Sequence, residues 1–216
     1  MEQIDVIFYI NLEHRTDRKE HFLSEIKKLC LDESKVVRID AIRNGVGIIG
    51  CTESHIKAME TFDQNPEWKT CIIFEDDFTF ASADLEHNNA HIRLAMTEFP
   101  DWDVISLAYN NNHDILNKEE REFIVEETHD PYVKRVIRHQ TASGYILNRK
   151  SLPPIKSTFL ESLHLLQTHG VQHEYCHDIY WRKLQPTLKW YCVAPALGYQ
   201  YGNYSDIQKF HTEYRC

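Results

Sequence analysis

Cys71-Ile72-Ile73-Phe74 is an apolar run with no alternation, and it ends in three consecutive carboxylates, Glu75-Asp76-Asp77. A run of this kind reads as a strand buried on both faces, which requires covering layers above and below its sheet. Val6 to Ile10 and Val104 to Leu107 are further runs of the same type. Between them the apolar spacing turns helical: Phe22, Ile26 and Leu29; Ile56, Met59 and Phe62; Leu85, Ile92, Met96 and Phe99 ahead of Pro100; then 155–167, closed by Gly170. Val36 to Ile39, Tyr132 to Ile137, Thr141 to Leu147 and Leu188 to Val193 read as the remaining strands. Strands alternating with helices predict an α/β domain with a largely parallel central sheet flanked by helices and right-handed connections.

Three adjacent acids repel one another, so a cation is expected beside them. If the strand continues, Glu75 and Asp77 share one face and Asp76 takes the other. Ligands of open α/β sheets bind at the carboxyl ends of strands. Hard oxygen donors there suit a divalent ion that takes its other ligands from phosphates; the plain alternative is a solvated turn. Arg15 and Arg18 fall at the start of the first helix, where Asp17 and Glu20 look like a capping box. Cations at that end oppose the helix dipole, which a bound phosphate would explain and ordinary surface charge would equally fit.

Gly45, Gly47 and Gly50 are three of only seven glycines, so 45–50 reads as a loop, without the Lys-Ser/Thr ending of a P-loop. Thr52 is then the expected N-cap, with Ser54 and a solvated His55 in the first turn. Adjacent Ser and His are not a nucleophile–base pair, since such partners are brought together by the fold. The segment 113–131 is charged and weakly periodic and reads as a flap.

Composition narrows the partners. Of 216 residues, 33 are acidic and 24 basic, a net charge of −9, which excludes a duplex-DNA reader and disfavours docking on anionic lipid. The start Met-Glu-Gln-Ile-Asp has no basic segment leading into a long apolar one, and no apolar run approaches the ~20 residues of a membrane span. Six cysteines without a C-x-x-C pair predict reduced thiols, mostly core fillers, in a cytoplasmic protein. The thirteen histidines show no H-x-x-x-H pair framed as a zinc site.

Taken in order, several short motifs resemble one family. They are Tyr9-Ile10-Asn11-Leu12 with Arg15 and Arg18, Arg38-Ile39-Asp40-Ala41, Gly50-Cys51 followed by Ser54-His55, and Phe74-Glu75-Asp76-Asp77. Thr141 followed by Gly144-Tyr145, Asp178, and Gln200 with Ser205-Asp206-Ile207 continue the series. The chain resembles glycosyltransferase family 25, the lipooligosaccharide and procollagen galactosyltransferases, over nearly its whole length. It is shorter than many members, and 113–131 has no counterpart.

The resemblance implies a GT-A, Rossmann-like single domain with a nucleotide-sugar and metal half (1–112) and an acceptor half (113–216). It implies inverting transfer of a hexose, galactose or glucose, from a UDP-sugar to a glycan or protein-linked hydroxyl, as in lipopolysaccharide biosynthesis, with Mn2+ or Mg2+. Donor binding then falls to Asn11, Arg15, Arg18, Asp40, Ser54, His55, Glu75 and Asp76, and the metal to Asp77, Glu75 and His211. Asp178 is the expected base, with Glu174 in reserve; a helix N-cap is the plain reading of Asp178. A silent GT-A binding module and a metal-dependent nucleotide-sugar hydrolase stay open, as does a peripheral membrane contact.

Overall fold

The computed structural model describes residues 3–29, 32–110, 123–204 and 211–212, with the main chain only at 203–204 and 211–212. Part of the expected flap and the Ser205-Asp206-Ile207 motif therefore lie outside the described residues. In chain order the elements are β1 (Val6–Asn11), α1 (Thr16–Glu25), β2 (Val36–Asp40), α2 (Gly47–Asp63), β3 (Thr70–Glu75), β4 (Phe78–Phe80), α3 (Leu85–Glu98) and β5 (Val104–Ser106). They continue as β6 (Ile124–Glu127), β7 (Val133–Arg138), β8 (Gly144–Asn148), α4 (Leu152–His169), α5 (His177–Tyr180), β9 (Trp190–Val193), β10 (Gly198–Gln200), β11 (Asn203–Tyr204) and β12 (His211–Thr212).

Eight strands form one sheet in the order β2-β1-β3-β8-β5-β9-β7-β6. Following the pairings across it, β7 and β8 are reversed and the other six strands point the same way. The sheet is thus largely parallel and flanked by helices. β8 lies between β3 and β5, and β5 between β8 and β9, so strands from 1–112 and 113–216 interleave at its centre. Period two sorts the strand side chains into two cores. Ile7, Tyr9, Ile72 and Phe74 meet Phe22 of α1 and Ile92 and Met96 of α3. Val6, Phe8, Cys71 and Ile73 meet Met59 and Phe62 of α2 and Ile155 and Phe159 of α4. This double burial is why these strands carry no polar alternation. Gly170, at φ 80°, ends α4 as expected.

β4 and β10 pair as a separate antiparallel ribbon, with Gln200 opposite Phe78. The ribbon clamps the Phe78 ring between two glycines. A Cβ on Gly144 would lie 2.5 Å from Phe78 Cε2, and one on Gly198 would meet the Phe78 ring and sit 2.5 Å from the Thr79 carbonyl oxygen. A backbone oxygen cannot step aside as a side chain can. Gly198→Ala is therefore expected to destabilise the fold by about 1–3 kcal/mol or more, read as a lowered urea midpoint. It would also disturb the turn that carries Asp76 and Asp77.

Candidate active site

β3 ends in the first of the three acids and the other two follow it, and the structure supplies their cation. Asp76 accepts from Asn11 Nδ2 at 2.7 Å and from Arg18 Nη1 at 3.0 Å. Asp77 Oδ2 lies 3.1 Å from the same Arg18 nitrogen. The anion expected at the helix-start arginine is thus this acid pair, where the sequence left room for a phosphate. Arg15 occupies the N-cap position of α1 and forks onto Asp17 at 2.9 and 2.8 Å, holding that carboxyl down at about 2. The Asp17–Glu20 capping box is not formed, because the cap position, Arg15, falls two residues earlier than a box on Asp17 would need.

Glu75 faces two ways. Its Oε2 accepts from Gln200 Nε2 at 3.0 Å, and Gln200 also hydrogen-bonds Asp77. Glu75 and Asp77 therefore meet around one amide while Asp76 turns to Arg18 and Asn11, as period two predicts. Burial pushes the carboxyls of Glu75 and Asp77 well above their usual range; Asp76 adds to the first shift and Glu75 to the second. Asp77 Oδ1 is buried with no hydrogen-bond partner among the described residues. A pair of crowded carboxylates with a bare oxygen fits a hard divalent cation.

On its other side Glu75 Oε1 lies 3.2 Å from His55 Nε2 and 3.6 Å from Cys51 Sγ. His55 Nδ1 is 3.1 Å from the Tyr145 hydroxyl. Burial holds that phenol protonated, so donation from Tyr145 to Nδ1 and from Nε2–H to Glu75 satisfies all three groups. The His55 and His177 rings meet at a 42° tilt with centroids 4.9 Å apart, and burial depresses each to about 3, so both are neutral.

The expectation for this segment needs correcting. α2 begins at Gly47, not Thr52, and Gly50 lies inside it because a Cβ there would strike the Ile42 carbonyl. His55 is fully buried, not solvated. Ser54 is also buried; its hydroxyl donates to the Gly50 carbonyl at 2.6 Å and accepts from Ile42 N at 2.7 Å, which ties the preceding loop to α2.

A cleft of about 540 Å3 opens beside Glu75, walled by the 45–48 segment, Cys51, Asn110, Thr141, Asp178 and Gln200. Thr141 has φ 92°, a conformation that β-branched residues rarely adopt and that concentrates at functional sites. Its hydroxyl donates to Asn110 Oδ1 at 3.0 Å. Asp178 is the second residue of α5, whose N-cap position is Cys176, so it is not the N-cap. Burial raises its pKa; neighbouring His177 lowers it and Glu75 raises it further. Glu174 is exposed on the 173–175 turn, away from the cleft wall. Asp40 is exposed and paired with Arg38, also outside the cleft wall. His211 pairs through its main chain with Tyr204, and its side chain lies outside the described residues.

Sequence reading gave no site role to Cys51, although it stands in a quoted motif, nor to His177, Asn110 and Gln140, all in the cleft wall. Cys51 and His55 do stand at i and i+4 on a helix, a spacing that puts them on one face.

No protein-family model matches the chain, and no curated protein matches it, so the resemblance to family 25 rests on the motifs quoted above. Solved structures overlap it at low identity. The crystal structure of A197 from STIV is 11% identical, with 99% of this chain and 97% of that chain covered and a TM-score of 0.49. A glycosyltransferase involved in the glycosylation of the major capsid of PBCV-1 is 7% identical, with 76% and 67% covered and a TM-score of 0.44. Overlap at this level says nothing of what this chain binds. Among the described residues no helix is long and apolar enough to cross a membrane.

Proposed function

We propose that the chain is a metal-dependent inverting glycosyltransferase of the GT-A type, moving galactose or glucose from a UDP-sugar to a glycan or protein-linked hydroxyl. The observation that supports this best is that Glu75 and Asp178, carboxylates from opposite halves of the sequence, wall one cleft at the carboxyl end of β3. In this reading 1–112 is the donor half and 113–216 the acceptor half.

Glu75 and Asp77 would hold Mn2+ or Mg2+, which when bound offsets the charge that develops on the departing diphosphate. Asp76, held by Asn11 and Arg18, fixes the turn on which both ligands stand. Asp178 takes the proton from the acceptor hydroxyl; a base whose pKa is raised by burial is a stronger proton acceptor than an exposed carboxylate. Glu174, outside the cleft wall, is the weaker choice for that role. The donor contacts assigned to Asn11, Arg15, Arg18, Asp40, Ser54, His55, Glu75 and Asp76 belong to the same proposal, with Asn11 and Arg18 acting through Asp76 and His55 through Glu75. His211 is proposed as a further metal ligand on the resemblance alone.

Protonation gives a test. Carboxyls whose pKa is raised in the folded state contribute stability that is fully present below their unfolded pKa and is lost as pH rises from there through the folded value of about 7. Without metal, these carboxyls should therefore cost the fold stability as pH rises through that window. Mn2+ with UDP should restore it, since the cation favours the ionised pair. Thermal melts at slightly acidic and slightly alkaline pH, with and without Mn2+ and UDP, are expected to show a stabilisation that grows with pH. Equal stabilisation at both pH values, or an equal UDP shift without metal, contradicts the proposal.

A further inference from the structure

Glu75 Oε1 belongs to a second group of ligand atoms, distinct from the Glu75 Oε2–Gln200–Asp77 side. A sulfur from Cys51, one ring nitrogen each from His55 and His177, and a Glu75 oxygen all lie within 4.8 Å of one another. The donors come from three elements: two from one face of α2, one from the end of β3, and one from the first residue of α5.

The hydrogen bonds around His177 fix its state. Thr52 has one hydroxyl proton, and it goes to the Ile48 carbonyl at 2.8 Å, since a carbonyl can only accept. The contact of 2.9 Å between Thr52 Oγ1 and His177 Nδ1 must therefore be donated by Nδ1–H. That places the lone pair of this imidazole on Nε2, for which no hydrogen bond is found among the described residues; His177 is 2% exposed and lines the cleft. An Nδ1–H donor that orients Nε2 is the arrangement metal-binding histidines use. His55 is likewise anchored at Nδ1, by Tyr145, with Nε2 turned to Glu75.

We propose that Cys51, His55, His177 and Glu75 bind one zinc-class ion, separate from the oxygen-ligated cation of the donor site. The donor set decides the class: thiolate with imidazole suits zinc, whereas manganese and magnesium take carboxylates and water. Tetrahedral zinc bonds of ~2.0–2.3 Å bring ligands somewhat closer than 4.8 Å, so the group would contract slightly around the ion. Binding exchanges the Cys51 S–H proton and the His55 Nε2–H proton, which now point at Glu75, for the metal; the sulfhydryl proton leaves to solvent and His55 moves its proton to Nδ1, with the Tyr145 hydroxyl turning to accept. The ion would tie α5 to α2 and β3, and α5 carries Asp178. The inference does not depend on what the cleft transfers.

The full chain, stripped with chelator, would be titrated with Zn2+ and with Co2+. We expect one equivalent taken up per chain by elemental analysis, a thermal midpoint raised by roughly 5 °C or more at saturation, and a sulfur-to-cobalt charge-transfer band. Cys51→Ser should abolish the band, and His177→Gln should weaken cobalt binding at least ~10-fold. Cys176→Ser, which changes the neighbouring half-buried thiol, should leave the band intact. No uptake by the unmutated chain, or a band that survives Cys51→Ser or is lost in Cys176→Ser, overturns the proposal. Because these readouts involve no sugar donor, they stand or fall apart from the transferase reading.

Discussion

Asp178→Asn is expected to lower the turnover number by roughly a hundred- to ten-thousand-fold, the usual worth of a general base, while UDP and metal binding stay nearly unchanged. The substitution keeps the shape of the side chain and removes its basicity. It should also fold: Asp178 caps nothing, and no ion pair with it is found among the described residues. Losing a half-buried carboxylate whose charge is disfavoured there should, if anything, stabilise the chain. Calorimetry of UDP binding and product formation on the same preparation separate the two effects. Transfer at a near-normal rate would remove Asp178 from the chemistry and send the search for a base elsewhere on the cleft wall.

Asp77→Asn is expected to act at the other step. A neutral amide is a poorer ligand for a hard cation, so metal-dependent UDP binding should weaken by at least the ~100-fold that loss of even an outer-shell partner can cost. Turnover should fall with it. The variant also leaves Arg18 with Asp76 as its remaining partner in the acid pair. That loss acts on a buried charge, so some destabilisation should accompany the binding defect. Glu75→Gln provides the comparison: no ion pair between Glu75 and Arg18 is found among the described residues, so it should share the binding loss without the ion-pair loss. If Asp77→Asn binds UDP and Mn2+ normally, the bare Oδ1 is not a metal ligand.

Much of the fold was legible because double burial leaves an unmistakable mark. Val6 to Ile10 of β1, Cys71 to Phe74 of β3 and Val104-Ile105 of β5 show no polar alternation, and the helices between them repeat at the expected spacing. The reversed direction of β8 was not legible, since a strand buried on both faces looks the same whichever way it runs. The β4–β10 ribbon was missed because its glycine is explained by a ring from elsewhere in the chain, Phe78 against Gly198. The start of α2 was misplaced for a similar reason: Gly50 looks like a loop residue and is a contact residue, pressed on the Ile42 carbonyl. His55 read as solvated because nothing in its own segment announces Tyr145 and Phe159, which bury it.

At the site, two separate demands were visible in the sequence and their common answer was not. The acids needed a cation and Arg18 at a helix start needed an anion; only the fold brings Arg18 within 3.0 Å of Asp76. The convergence of Cys51 with His177, 126 positions later, depends in the same way on how α5 docks against α2.

The central claim is sugar transfer from a UDP-sugar at a metal-bearing cleft. Its most direct test incubates the full chain with a panel of UDP-hexoses, Mn2+ and a mixed set of sugar acceptors, and measures both UDP release and glycosylated product. The account predicts UDP release with UDP-galactose or UDP-glucose, product with inverted anomeric configuration, loss of both in EDTA, and recovery on adding Mn2+. UDP release with free sugar as the sole product would make the chain a hydrolase; full activity in EDTA, or neither binding nor release with any UDP-sugar, would contradict the account outright.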